Sequence, residues 1–477
     1  MVVPFDFLGM DHDDIHREHK RLLVAAFKDN EATWEQAFMA ASHFSDGKTC
    51  RAGEGAGGEG PLFPREPQRD RSFNICYWIK VDGIDKQWVV RFPKPFAPRP
   101  VLERKLQSEV ATLQFLSRHT RVPVPALIGY DEDTDEFPPF LVIEHCEGWR
   151  LNVLWGAKVK NDQVEETIIR SLTEIQHELL RHPFDRIGML DVSAGINDEQ
   201  KIVGPVSLDA LEHCRDGVIP HMPTPFETAG DYFDYKVDVA IDRLHNQRNS
   251  IDSVSDGRRK FLNPYIIREY IQAKSRPEDA GGPFYLAHPD LHGTNVIIDM
   301  HTFRIVSILN WEGACILPLN HACALPRCLD NILCDDLLPH SDKWRFYGDR
   351  ARCYSKLFAE VTREQGTDFA VADTITTGLF FTWAINDVRT LDSLIWQHLA
   401  PSLYPDLGKE YDRIFCCRHD SPLMGVDAIK SVVDEFVERR LLELGLGPTV
   451  GEEVSNKMID LQRFAEIQQR TRGYQTL

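Results

Sequence analysis

The stretch His-Pro-Asp-Leu-His-Gly-Thr-Asn from His288 to Asn295 sets a carboxylate, Asp290, shortly before an amide, Asn295, between two apolar runs. Leu-Asn-Trp-Glu-Gly-Ala from Leu309 to Ala314 then brings a second amide, Asn310, and a second carboxylate, Glu312. Transfer of a γ-phosphoryl group asks mainly for positioning and charge. It needs a carboxylate near the acceptor hydroxyl, oxygen ligands for Mg²⁺, and a cation on the nucleotide phosphates. The two segments supply the oxygen groups in that order. Asp290 follows the apolar run 284–287, Asn295 leads into the strand-like run 296–298, and Asn310 and Glu312 follow the run 305–309, so both loops can meet at one site. His288 and His292 flank Asp290 and also allow a zinc reading, but no third ligand stands at suitable spacing. His288 reads better as a hydrogen bonder to backbone.

The cation comes from elsewhere in the chain. A helical stripe, Leu102, Leu106, Leu113 and Leu116, has Glu109 at its missing position. A carboxylate in an apolar stripe needs a partner, because burying it alone is costly. The preceding strand offers Arg91, with Lys94 nearby. That strand belongs to a hairpin, 73–81 and 88–92, turned at Asp82-Gly83, and the helix runs from about Val101 to His119. A constrained connection, 122–130, and a buried strand from Pro139 follow. From about Arg150 the pattern is mostly helical, with the strand-loop-strand 284–309 embedded in it. Residues 11–44 carry a separate helical pattern. Residues 47–70 are rich in Gly, Pro and charge and are expected to form a flexible loop, and Glu54 and Glu59 argue against the Gly-rich part 53–60 as a phosphate cradle.

The 477 residues are 43% hydrophobic and 27% charged, the composition of a globular chain with a sizeable core. A net charge of -19 opposes general nucleic-acid binding and mildly favours an amine-bearing small molecule. No apolar run is long enough to span a membrane, no leader is visible at the N-terminus, and the eleven cysteines lack zinc or disulfide spacing. The expected location is the cytoplasm, and the oligomeric state is left open.

Taken together, FN at 73–74, WVVRFPKP at 88–95, SEVATLQFL at 108–116, PVP at 123–125, LVIEHCEG at 141–148, HPFDRIG at 182–188, HPDLHGTNVIID at 288–299 and LNWEGA at 309–314 resemble the aminoglycoside phosphotransferase family, in particular its fungal members. The resemblance implies an α+β, protein-kinase-like bilobal fold with a small β-rich N-lobe and a large helical C-lobe. The expected divisions are a helical extension at 1–46, the loop at 47–70, an N-lobe at 71–147 and a C-lobe at 148–477. It implies Asp290 as catalytic base, Asn295 as a metal ligand, Glu109 as the helix carboxylate and Arg91 in the position often held by Lys. It also implies Glu144, His145 and Cys146 beside the adenine, with ATP and Mg²⁺ as cofactors. The implied function is ATP-dependent phosphorylation of a small-molecule hydroxyl, with secondary metabolism as its setting. One position departs from the family pattern: Asn310 stands where an Asp bridges Mg²⁺ to the phosphates. An amide ligates Mg²⁺ without bringing negative charge. Glu312 or Asp299 could compensate, with His288 and His292 as accessory groups. The rival expectation is a kinase-like fold turned to another reaction, or to binding alone.

Overall fold

The computed structural model describes residues 30–53, 74–93, 99–132, 139–156, 162–192, 201–206, 223–246, 251, 253–274, 281–288, 290–329, 342–367, 369, 395 and 426–443. The chain divides into two compact units, one formed mainly by residues 20–232 with 276–382 and the other by 233–275 with 383–477.

The first unit opens with α1 (Asn30–Ser42) and a five-stranded antiparallel sheet of β1 (Cys50–Ala52), β2 (Asn74–Val81), β3 (Trp88–Pro93), β4 (Leu127–Asp131) and β5 (Phe140–Glu144), in the order β1-β2-β3-β5-β4. Between β3 and β4 runs α2 (Arg99–His119). Successive side chains of a strand point to opposite faces, so β3 serves two neighbours. Trp88, Val90 and Phe92 join Tyr77, Ile79, Val81, Phe140 and Val142 in a core closed by Ala37, Ala40 and Ala41 of α1. Alanines let that helix lie close against the sheet. Val89 and Arg91 alternate with this set and take the other face. On α2, Leu102, Leu106, Glu109, Leu113 and Leu116 are all buried, as the stripe requires. Gly83, at φ +77°, makes the hairpin turn.

The described part of the helical extension, α1, covers one face of this sheet. One expectation changes here. The segment 47–70 is not irregular throughout: Cys50, Arg51 and Ala52 pair with Val81, Lys80 and Ile79. Backbone pairing to an open sheet edge needs no apolar side chains, which is why composition gave no sign of it. Glu54, Glu59 and Lys94 lie outside the described residues.

The chain continues through β6 (Trp149–Arg150), α3 (Leu151–Gly156), α4 (Asp162–Leu180), β7 (Pro183–Phe184), β8 (Met189–Asp191), β9 (Lys201–Val203), α5 (Ala229–Asn246) and α6 (Val254–Lys274). Next come β10 (Phe284–Ala287), β11 (Val296–Ile298), β12 (Ile305–Ile308), β13 (Cys315–Pro318), α7 (Leu319–Ala322), α8 (Asp342–Gln365) and α9 (Val426–Glu443). Small antiparallel sheets, β13-β10-β7 and β12-β11-β6, carry the two loops of chemical interest. More strands occur after residue 150 than the helical pattern suggested, because most have only two to four residues, too few to show an alternation. Arg350 binds the junction of this region: it forks onto Glu165 at 2.9 and 3.1 Å, donates to the Leu329 carbonyl at 2.9 Å and lies 4.0 Å above the Trp155 ring. In the second unit α6 packs on α9 through Phe261 and Phe436, beside an Arg258–Asp434 contact of 2.7 Å.

Candidate active site

Antiparallel pairing of β11 with β12 brings residues 290–295 and 309–312 to the same end of one hairpin. Leu309 is gripped from both sides. Its carbonyl accepts from His288 Nε2 at 2.9 Å, and its N–H donates to the Asn295 carbonyl at 2.8 Å. The other nitrogen of His288, Nδ1, accepts from the Asp290 N–H at 3.1 Å, and its ring meets Trp311 edge-on at 4.8 Å. Burial holds this imidazole at a pKa of about 4, so it is neutral and both nitrogens are committed to backbone. A metal has no lone pair to use on it. Gly293 completes the brace: its carbonyl accepts from the Asn152 N–H at 3.1 Å, and a Cβ there would stand 2.9 Å from that same nitrogen.

Asp290 Oδ1 accepts from His292 Nε2 at 2.9 Å, and Arg327 Nη1 lies 3.5 Å from that nitrogen and 4.0 Å from the carboxylate. Burial works to raise the Asp290 pKa, but the His292 hydrogen bond and the Arg327 charge outweigh it and hold the group at about 2. The side chain remains 40% exposed. Asn295 donates its amide to the Asp290 carbonyl at 2.8 Å, which fixes the amide and turns Oδ1 to the opposite side. Arg327 was not foreseen. Nothing in its surroundings, Ala-Leu-Pro-Arg-Cys, distinguishes it from a surface arginine.

The cation that pairs with Glu109 is Arg91. Its Nη1 donates to Glu109 Oε1 at 2.6 Å, its Nη2 donates to Asn310 Oδ1 at 3.1 Å, and Nη2 lies 3.6 Å from Glu312 Oε2. Glu312 is held in turn by Lys105 and by Asn74 Nδ2 at 2.5 Å. Arg91, Lys105, Glu109 and Glu312 therefore form a buried set of two cations and two carboxylates. Burial would raise Glu312, yet Lys105 and Arg91 hold it below the ordinary range, while burial pushes Glu109 up against the pull of Arg91. Lys105 and Asn74 complete this set, and the stripe argument, which asked only what Glu109 needed, did not name them. Asn310 has φ +65°, a left-handed conformation that Asn adopts more readily than most residues.

At the strand end that leads from the sheet into β6, the Glu144 N–H donates to the Ala126 carbonyl at 2.9 Å and the His145 N–H to the Gln87 carbonyl at 2.8 Å. The Glu144 carboxylate pairs with Lys86, so its side chain serves the sheet rim. Cys146 Sγ donates to Ser307 Oγ at 3.2 Å. Burial lowers His145 and raises Cys146, which leaves both uncharged at neutral pH.

The fit to a metal differs between the two amides. Asn295 presents an oriented Oδ1, suitable for a hard cation. The Asn310 oxygen already accepts from a guanidinium, and the residues named as compensating ligands are engaged: Glu312 as above, and Asp299 by His301 N, Thr302 N and Thr302 Oγ1 at 3.0, 2.7 and 2.8 Å in the β11–β12 turn. Among the described residues, no group of three or more His, Cys, Asp or Glu could hold a metal ion. No helix among them is long and apolar enough to cross a membrane.

Comparison with known proteins gives the family. A subtelomeric hrmA-associated cluster protein of Aspergillus fumigatus is 25% identical over 296 residues, covering 52% of this chain and 56% of that protein. Altered inheritance of mitochondria protein 9, mitochondrial, of Meyerozyma guilliermondii is 27% identical over 120 residues, covering 25% of this chain and 20% of that protein. The chain thus matches little more than half the length of the first and a fifth of the second. Among solved structures, the GDP and kanamycin complex of APH(2")-IIIa aligns over 76% of this chain and 93% of that one, at 15% identity and a TM-score of 0.39. The profile of the Phosphotransferase enzyme family (APH) matches residues 68–320, from the strand that carries Asn74 through the loop of Asn310 and Glu312. That span holds the sheet with its inserted helix and both loops, an α+β arrangement, and the chain belongs to this phosphotransferase family.

Proposed function

We propose that the protein transfers the terminal phosphoryl group of ATP to a hydroxyl of a small molecule. The observation that carries this reading is the double grip on Leu309, which fixes the loop of Asp290 and Asn295 to the loop of Asn310, against which Arg91 is seated. In the reaction the acceptor oxygen bonds to the γ-phosphorus, the bond from that phosphorus to the β–γ bridging oxygen breaks, and ADP leaves. The acceptor proton passes to Asp290. At a pKa of about 2 this carboxylate is ionised at neutral pH and a weak base, which suits orientation of the hydroxyl with late proton transfer in a loose transition state. His292 holds Asp290 in place. Arg91, aligned by Glu109, faces the donor phosphates, and the backbone around Glu144, His145 and Cys146 borders the adenine. A magnesium ion on the phosphates would be held through Asn295 Oδ1 and would supply charge neutralisation there.

The acceptor class is a hydroxylated small molecule. The acidic chain favours one that carries an amine. The described cysteines are free thiols, which supports a reducing compartment, and we place the protein in the cytoplasm. A second reading, nucleotide binding without transfer, draws support from the Arg91–Asn310 hydrogen bond. One experiment separates them: incubate the purified protein with γ-labelled ATP and a panel of hydroxylated metabolites and follow label transfer by mass spectrometry. Label in an acceptor, lost in Asp290→Asn while ADP still binds, supports transfer. ADP binding with no labelled acceptor supports the second reading, and absence of ADP binding refutes both.

A further inference from the structure

The Arg91 guanidinium occupies an unusual place in this site. One nitrogen is fixed to Glu109 at 2.6 Å, and the other touches the Asn310 amide oxygen at 3.1 Å and stands 3.6 Å from Glu312. Magnesium binds oxygen at about 2.0–2.1 Å and favours anionic ligands. An ion ligated by Asn310 Oδ1 would share that oxygen with a guanidinium already in contact with it, in surroundings where like charges are poorly screened. Among the described residues no nearby carboxylate is free to offset this, Glu109 being held by Arg91. Glu312 is held by Lys105, Asn74 and Arg91, Asp299 closes the β11–β12 turn, and Asp290 is held by His292. The amide is well matched to its neighbour: it gives an acceptor oxygen without a charge that would draw Arg91 away from Glu109.

We propose that Asn310 is a positioning residue for a cation and not a ligand of one: it aligns the Arg91 guanidinium, which stands where a metal ion would otherwise lie, so that charge neutralisation at this end of the phosphates is built into the chain. This inference rests on the nucleotide-binding reading above. Under it, Arg at position 91 and Asn at position 310 form one device. A lysine, with a single ammonium at its tip, could not hold Glu109 and Asn310 as a fork does.

The test is ADP affinity by calorimetry on the full chain, measured in excess Mg²⁺ and in EDTA. The quantity of interest is the ratio of the two dissociation constants, which isolates metal linkage from any general weakening. The near-isosteric Asn310→Asp leaves this ratio within about twofold of wild type, because Arg91 neutralises the new carboxylate before a metal does. Asn310→Ala weakens ADP binding by a similar factor with and without Mg²⁺. The double variant Arg91→Lys with Asn310→Asp raises the ratio by about tenfold or more, since the carboxylate is then open to the metal. A rise of about tenfold in Asn310→Asp alone would show position 310 to be a metal site and overturn the inference, as would a fall of the ratio toward one in Asn310→Ala or an unchanged ratio in the double variant. These outcomes differ from failure of the underlying reading, which would show as no ADP binding by wild type in either condition.

Discussion

Removing either member of the Arg91–Glu109 pair should destabilise the first unit by about 3 kcal/mol, and removing both should cost about 2 kcal/mol less than the sum. The side chains are 9% and 6% exposed and lie 2.6 Å apart, so each single substitution leaves a charge in a site that water reaches poorly. Breaking one partner of such a pair typically costs about 3–5 kcal/mol. The lower end applies because Glu312, 3.6 Å from Arg91, still faces the guanidinium when Glu109→Gln is made. With Arg91→Met and Glu109→Gln together, Lys105 and Glu312 remain a matched pair and the buried set is again neutral. The expected coupling is therefore about 2 kcal/mol. The assay is native-state hydrogen exchange of the β3 and α2 amides across a urea series, which reads the opening of this unit alone. Additivity within about 0.5 kcal/mol would refute the reasoning, because it would mean that each side chain is satisfied without the other.

Other outcomes follow from the same geometry. His288 has a folded pKa of about 4 against an ordinary value of 6.5, so the unfolded chain takes up the proton first; stability should decline as pH falls from about 6.5 to about 4 and then level off, and this component of the urea midpoint should disappear in His288→Asn. His292→Gln removes the hydrogen bond that helps hold Asp290 near 2, so the acid limb of kcat/KM should move to higher pH, a shift visible in the pH profile and absent if His292 acts only on folding. Gly293→Ala sets a Cβ 2.9 Å from the Asn152 nitrogen, and the resulting displacement of the catalytic loop should lower kcat by about tenfold to a hundredfold with ADP affinity little changed; unchanged kcat would show that the loop tolerates the shift.

The features read correctly from sequence were those with a local cause. An acidic residue in an apolar helical stripe demands a cation, and Glu109 finds Arg91. The Asp-Gly hairpin turn forms at Asp82-Gly83, and the apolar runs at 284–287, 296–298 and 305–308 are the strands that carry the two loops. What stayed hidden depends on partners distant in sequence. Lys105 and Asn74 converge on Glu312 from a helix and a strand more than two hundred residues away, and neither residue has a pattern of its own that points there. Arg327 is likewise an arginine among many until the fold sets it beside Asp290. The Arg91–Asn310 contact was hidden for the same reason: a sequence shows which atom is present but not what already occupies its lone pairs. Phe380, Phe381 and Trp383, with Asp387, read in the sequence as core aromatics or as a substrate wall, and they lie outside the described residues.

Under the proposed transfer, the grip on Leu309 also bears on how the two substrates would sense each other. His288 and Asn295 seize opposite ends of one residue, so the strip that would offer Asp290 to the acceptor and the strip that would meet the donor through Asn310 and Arg91 are tied together. Whatever displacement one substrate induces is imposed on the pocket of the other. By reciprocity the effect must run both ways and be equal in free energy: if the nucleotide tightens the acceptor by some factor, the acceptor tightens the nucleotide by the same factor. Without that histidine the two binding events would become more nearly independent, each strip settling around its own ligand.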